Sequence, residues 1–188
     1  MVPPDDLGGG FRGGRPPMRG SSVRRARPTN PGAPAAVPSP VRSTPPATAP
    51  TAGRKLRVLF VCIGNSCRSQ MAEAFAKAYG SDILEVSSAG LSPAAIIAPL
   101  TRQVLAMRHL SIEGQFPKDL EMVTRDNATR PFDVVVNISG LPMHPLGQRQ
   151  IDWKVQDPMG HPEAVHRAVA DQLEGLVMRL ILELRKGI

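Results

Sequence analysis

The stretch that decides the fold runs from Leu56 to Ser69 and reads L-R-V-L-F-V-C-I-G-N-S-C-R-S. Its first part, Leu56–Val61, is an apolar and β-branched run with the length of a buried strand. The run Gln70–Tyr79, which follows it, consists mainly of strong helix formers. A strand, a short loop with Gly64 and Asn65, and a helix start together predict an anion-binding turn. In such a turn the loop N–H groups and the helix N-terminus converge on one point.

Two side chains at the ends of this loop supply the predicted chemistry. Cys62 opens the loop and Arg68 closes it, with five residues between them. The loop and the guanidinium both favour a thiolate, and the guanidinium can bind two oxygens of a phosphate-like anion. The sequence therefore predicts a sulfur nucleophile beneath a tetrahedral oxyanion, and the alternative is an ordinary buried cysteine beside a surface arginine. The predicted oxyanion-binding loop comprises Ile63, Gly64, Asn65, Ser66, Cys67, Arg68 and Ser69.

Composition divides the chain of 188 residues into two parts. Residues 1–54 hold 12 of the 20 prolines, 8 of the 17 glycines, eight arginines and two aspartates, which gives a net charge of +6. We expect a disordered tail there, because such a segment cannot bury enough apolar surface to offset its ordering entropy. An Arg-Gly-rich stretch at residues 8–20 could bind RNA, although a solvated extension is the plainer explanation. Residues 55–188 have the length of one domain with one core.

Several classes of protein are disfavoured by the residue inventory. No run approaches the roughly 18 apolar residues of a membrane span, and the N-terminus lacks the apolar core of a secretory signal. Cys62 and Cys67 are the only cysteines, so no disulfide framework of the secreted kind is predicted, and we expect a cytoplasmic protein. The four histidines show no ligand spacing, so we expect no metal and no cofactor.

Strand-like and helix-like segments alternate beyond the loop. We predict strands at Ile83–Val86, Phe132–Ile138 and Ile151–Val155, and helices at Pro99–Met107, Pro117–Val123 and Val165–Leu184. The run at 132–138 is continuously apolar, which is typical of a strand that is buried on both faces. The alternation predicts a parallel sheet covered by helices, with a ligand beyond the carboxyl ends of the strands, where Cys62 emerges.

The segment Val58–Ala74, V-L-F-V-C-I-G-N-S-C-R-S-Q-M-A-E-A, resembles the active-site loop of the low-molecular-weight protein tyrosine phosphatase superfamily. That superfamily also contains arsenate reductases. The resemblance covers nearly all of residues 56–186, through S-S-A-G at Ser87–Gly90, F-D-V-V-V at Phe132–Val136 and the pair Asp157-Pro158. It implies a flavodoxin-like α/β fold of three layers, in which helices cover both faces of a four-stranded parallel sheet.

The resemblance also agrees with the roles that the residues suggest. Cys62 would be the nucleophile that forms a cysteinyl-phosphate, and Arg68 would stabilise charge on the equatorial oxygens. Asp157 would be the general acid, although an Asp-Pro pair alone indicates only a turn. Ser69 can hold the sulfur as thiolate or cap the helix. Cys67 can form a reversible disulfide with Cys62, or it can simply fill space in the core.

Two departures from the family pattern bear on the choice of function. The loop sequence N-S-C-R-S-Q-M-A-E is closer to that of the arsenate reductases. Thioredoxin-coupled reductases, however, need further cysteines downstream to relay electrons, and Ser139 stands where the first of these would fall. Met159 follows the Asp-Pro pair, where phosphatases often carry an aromatic residue. We expect first a phosphomonoester hydrolase that acts on phosphotyrosine proteins or small aryl phosphates. The alternatives are an arsenate reductase that uses an external thiol, and an inactive oxyanion-binding or tail-mediated RNA-interaction protein.

Overall fold

The computed structural model describes residues 54–187, so all but the last residue of the tail expected at residues 1–54 lies outside this range. The described part alternates strands with helices. The strands are β1 (Leu56–Cys62), β2 (Leu84–Gly90), β3 (Phe132–Asn137) and β4 (Gly147–Asp152). The helices are α1 (Arg68–Gly80), α2 (Pro99–Ala106), α3 (Leu120–Thr124) and α4 (Glu163–Lys186).

The four strands form one parallel sheet in the order β2-β1-β3-β4. Every residue of β1 and of β3 is buried, because both strands have neighbours on either side and helices or loops above and below them. This burial explains their nearly continuous apolar sequences. The sheet order and the helix-covered faces confirm the predicted flavodoxin-like α/β fold.

Helices cover the two faces of the sheet unequally. The larger core lies between the sheet and helices α1, α2 and α4, and it includes Phe60, Phe75 and Leu173. A smaller core on the opposite face joins Leu59 and Phe132 to α3 and the loop before β4. The side chain of the last residue of β1, Cys62, belongs to the larger core and therefore lies on the same side as α1. Within residues 54–187, no helix has the length and apolarity that crossing a membrane requires.

The fourth strand differs from its prediction. It spans Gly147–Asp152 and not Ile151–Val155, so the expectation that this strand carries Trp153 is wrong. β4 is an edge strand whose polar residues pair with β3 while remaining partly exposed, so the sequence shows no apolar alternation there. Trp153 follows the strand and packs against Phe60, with a distance of 5.8 Å between the ring centroids.

Two further elements have different bounds from those predicted. β2 continues to Gly90 rather than ending at Val86, because its S-S-A-G segment pairs with β1 as far as Cys62. α3 begins at Leu120 rather than at residue 117, since the Asp119 carboxylate accepts a hydrogen bond of 2.6 Å from the Met122 N–H and caps the helix.

Candidate active site

The loop between β1 and α1 lies at the carboxyl edge of the sheet, beside its central strand. Its carbonyl groups are turned towards the segment that follows β2, which donates backbone hydrogen bonds to them. These bonds run from Leu91 to Cys62 (3.0 Å), Ser92 to Ile63 (2.9 Å), Ala94 to Gly64 (2.8 Å) and Ala98 to Ser66 (3.1 Å). In a planar trans peptide, the N–H points away from the carbonyl of the same unit. The N–H groups of these peptide units therefore point away from that segment, an orientation that suits a backbone cradle for an anion.

Asn65 fixes the shape of this loop. Its backbone has a φ of 44°, a left-handed conformation that Asn tolerates better than most residues, and its side chain is fully buried. The side-chain amide donates to the hydroxyls of Ser69 and Ser88, each at 2.8 Å. Its carbonyl oxygen accepts from the backbone N–H of Lys118 at 2.8 Å and from the Gln70 amide at 3.1 Å. All four hydrogen-bonding positions of the amide are therefore occupied.

Ser69 connects this network to the candidate nucleophile. Its hydroxyl lies 2.9 Å from the Cys62 sulfur. The same hydroxyl accepts a hydrogen bond from Asn65, which holds it beside the sulfur with its own proton available for donation to a Cys62 thiolate. The alternative role of Ser69 as a helix cap is not observed: Cys67 occupies the N-cap position, and no side chain makes a capping hydrogen bond there.

Arg68 is held almost completely out of solvent at the start of α1, with 4% of its surface exposed. One terminal nitrogen donates to the backbone carbonyls of Ile138 (3.0 Å) and Val155 (3.3 Å), and the other pairs with the Asp157 carboxylate. The Nε–H of Arg68 is buried and has no partner among the described residues. A buried donor of this kind is costly to leave unpaired, so it is suited to an oxyanion that enters the cavity.

Asp157 reaches the same cavity from the loop that precedes α4. Its second carboxylate oxygen accepts a hydrogen bond of 3.1 Å from the Met159 N–H, which fixes the turn. The cavity has a volume of about 170 Å³, which is enough for a small oxyanion. Its walls are formed by Cys62, Ile63, Gly64, Ser66, Cys67, Arg68, Ala94, Asp157 and Met159. The structure therefore brings together the three residues proposed for catalysis.

Cys67 is the second sulfur in the cavity wall. Both cysteines are free and buried, and the Cys67 sulfur lies 3.2 Å from the thioether sulfur of Met159. Burial raises the pKa of the Cys67 thiol, although a hydrogen bond from the Ser66 hydroxyl acts in the opposite direction. Cys67 is therefore a weaker nucleophile than a thiol that is readily ionised.

A buried carboxylate behind the loop was not predicted from the sequence. Glu73, 3% exposed, accepts a hydrogen bond from the Ser88 hydroxyl and pairs with Lys77 at 2.6 Å and Lys118 at 3.6 Å. Burial lowers the pKa of Lys118, while Glu73 opposes this effect. The spacing of Ser69 and Glu73, four residues apart on one helix, was the available signal that they share a face. The contribution of Ser88 and Lys118 depends on the tertiary fold.

Metal ligands of the usual kinds do not gather in the described part of the chain. Among residues 54–187, no three His, Cys, Asp or Glu side chains form a group that could hold a metal ion. The expectation that no metal is needed for the oxyanion chemistry therefore remains a prediction.

Known proteins with similar sequences and folds are phosphatases and arsenate reductases. Residues 57–188 match the family described as low molecular weight phosphotyrosine protein phosphatase. A glutaredoxin arsenate reductase from Synechocystis sp. is 35% identical over 133 residues, which cover 68% of this chain and 98% of that protein. A solved arsenate reductase in a phosphate-binding state has a TM-score of 0.62 and 33% identity, over 68% of this chain and 98% of the other. The low molecular weight protein tyrosine phosphatase from T. tengcongensis has a TM-score of 0.57 and 27% identity, over 69% of this chain and 99% of that protein.

Proposed function

The chain belongs to the low molecular weight phosphotyrosine protein phosphatase family, and we propose that it is an arsenate reductase that takes its electrons from an external thiol. The proposal depends above all on the cavity, whose wall brings Cys62 together with Arg68, a buried guanidinium with an unpaired Nε–H. Relatives named arsenate reductase support this choice over the phosphomonoester hydrolase that was expected first. A phosphatase remains the second candidate.

The first step joins arsenic to sulfur. The Cys62 thiolate, supported by the Ser69 hydroxyl, attacks arsenic, so that an S–As bond forms and an As–O bond breaks. Arg68 and the loop N–H groups stabilise the charge on the remaining oxygens. Protonated Asp157 gives its proton to the departing oxygen, which leaves as water.

Reduction of arsenic then requires two electrons, which we assign to two external thiols. The first thiolate attacks the Cys62 sulfur: an S–S bond forms, the S–As bond breaks, and its electron pair stays on arsenic, which leaves as arsenite. The second thiol resolves the mixed disulfide and releases Cys62. One arsenate and two thiols thus yield arsenite, one disulfide and water. Cys67 is the less favourable electron donor, because burial raises its pKa.

The test measures both reactions on the same protein. The full chain is incubated with arsenate and glutathione, and arsenite is quantified together with the glutathione disulfide that forms. Hydrolysis of 4-nitrophenyl phosphate is measured in parallel. We expect arsenite formation that is lost in Cys62→Ser and retained in Cys67→Ser. Loss in Cys67→Ser would instead indicate a Cys62–Cys67 disulfide as the product of reduction.

The phosphatase candidate is favoured by the position of Asp157. A phosphate ester needs a proton donor for its leaving group and a base for the attacking water, and Asp157 lines the cavity beside Arg68. Hydrolysis of the aryl phosphate without arsenite formation, with glutathione or with a glutaredoxin as electron donor, would replace the reductase proposal by this one.

A further inference from the structure

Three sulfur atoms line one small cavity: those of Cys62, Cys67 and Met159. Both cysteines are free thiols with 2% of their surface exposed. The Cys67 and Met159 sulfurs are already in contact, at 3.2 Å. We propose that this cavity is a binding site for a soft monovalent cation, Cu(I), held by two thiolates and one thioether, and that the bound metal blocks the oxyanion site.

The donor set selects the class of metal. Thiolates and thioethers are soft ligands that favour Cu(I). Mg²⁺ and Ca²⁺ require oxygen ligands, so a thioether sulfur does not suit them. Met159 is therefore the residue that distinguishes this site from a pair of cysteines. A metal that is bound by thiolates alone would have the same affinity with or without the Met159 thioether.

One of the three sulfur pairs is already close to the separation that a shared metal requires. Metal–sulfur bonds of about 2.3 Å, as for zinc, place two sulfurs of a trigonal site about 4 Å apart. The contact of 3.2 Å between Cys67 and Met159 therefore has to open by less than about 1 Å. Met159 is 53% exposed on a loop and has three rotatable bonds, so its thioether can make this movement.

The charge of the cavity favours a monovalent ion over a divalent one. Two thiolates with Cu(I) carry a net charge of −1, whereas the same ligands with a divalent ion are neutral. The loop N–H groups and the Arg68 guanidinium favour an anion, so they stabilise the monovalent complex. Asp157, the charged group that pairs with Arg68, is the one carboxylate in the cavity wall and is partly exposed.

Metal binding and oxyanion chemistry exclude one another, because both use the Cys62 sulfur. The proposal does not depend on whether the site reduces arsenate or hydrolyses a phosphate ester. In either case, Cu(I) should inhibit the reaction with a stoichiometry of one per chain, and inorganic phosphate should compete with the metal.

The test is an anaerobic titration of the full chain with Cu(I) in competition with a chromophoric Cu(I) chelator. We expect one tightly bound Cu(I) that is lost in Cys67→Ser. Met159→Leu should weaken binding at least about tenfold, since even outer-shell partners of metal sites contribute 10- to 100-fold. Met178→Leu is the matched control, because this exposed methionine lies on α4, outside the cavity wall, and its loss should leave the affinity unchanged.

X-ray absorption at the copper edge supplies a second measurement, and its result for the wild-type chain does not depend on the folding of any variant. We expect three sulfur neighbours in the wild-type chain and two in Met159→Leu. Unchanged affinity in Met159→Leu, or two sulfur neighbours in the wild-type chain, would overturn the three-sulfur site. Cu(I) retained with equal affinity by Cys67→Ser would overturn it as well.

Discussion

Replacement of Asn65 tests the claim that one side chain shapes the oxyanion loop. Asn65→Ala removes all four side-chain hydrogen bonds, which join it to Ser69, Ser88, Gln70 and Lys118. At about 0.5–1.5 kcal/mol each, these bonds contribute about 2–6 kcal/mol. The backbone φ of 44° adds a cost of about 1–2 kcal/mol for alanine. We expect a loss of about 4 kcal/mol in the free energy of unfolding, a large part of the total for a small domain.

Asn65→Gly separates the two contributions. Glycine also lacks the amide, but it adopts a positive φ without strain, so it should be about 1 kcal/mol more stable than the alanine variant. Unfolding in urea can be followed by the fluorescence of Trp153, the only tryptophan in the chain. Both variants should also slow the proposed reduction of arsenate, because Ser69 loses the hydrogen bond that holds its hydroxyl beside Cys62. A loss below about 1 kcal/mol in Asn65→Ala would refute the reasoning.

Three further predictions concern stability, packing and specificity. Burial acts to raise the pKa of Asp133, but hydrogen bonds from Arg54 and a backbone N–H lower the pKa overall. The Asp133 carboxylate therefore stabilises the fold fully above its unfolded pKa of about 4, and this contribution is lost as the pH falls through the folded pKa. Asp133→Asn should therefore reduce the loss of stability on acidification in urea unfolding, and an unchanged loss would contradict this. Gly90→Ala should lower stability by about 1–3 kcal/mol and reduce activity, since its Cβ would lie 2.7 Å from a loop carbonyl. Gly175→Ala, in α4 with nothing within 4 Å, should instead stabilise by about 0.5–1 kcal/mol, and equal effects in thermal unfolding would reject the packing argument. Met159→Tyr should raise kcat/KM for 4-nitrophenyl phosphate by about 2- to 10-fold through ring packing worth about 0.5–1.5 kcal/mol, and no gain would show that this residue does not form the wall for an aryl group.

The loop and the central strand could be predicted because their signals are local. The order of strand, Gly-Asn loop and helix places Cys62 and Arg68 at the ends of one anion-binding turn, whatever the rest of the chain does. β1 and β3 are buried on both sides, so their sequences are apolar throughout. β4 gave no such signal, because an edge strand with polar residues is specified by its pairing with β3.

The support behind the loop could not be predicted, because it is assembled from distant parts of the chain. Glu73 is on α1, Ser88 is on β2 and Lys118 is in the loop before α3, and they meet only in the folded protein. A buried glutamate in a helix looks like a surface residue when only its sequence is considered. The role of Asp157 needed the family resemblance, since an Asp-Pro pair alone indicates a turn. The structure adds its contact with Arg68.

The choice between reductase and phosphatase depends on what reaches the covalent intermediate first. In the proposed mechanism, the loop N–H groups and Arg68 would bind any tetrahedral oxyanion, and Cys62 would form the same kind of bond with arsenic as with phosphorus. Water activated by Asp157 would hydrolyse the intermediate and release arsenate or phosphate. A thiol that attacks the Cys62 sulfur would instead release arsenite, a leaving group that has no equivalent for phosphorus. On this proposal a single site could catalyse both reactions, and we expect Met159, which lines the cavity and is exposed, to influence the access of thiols and of aryl groups. For this reason, thiol-dependent arsenite release is the measurement that separates the two functions, and oxyanion affinity is not.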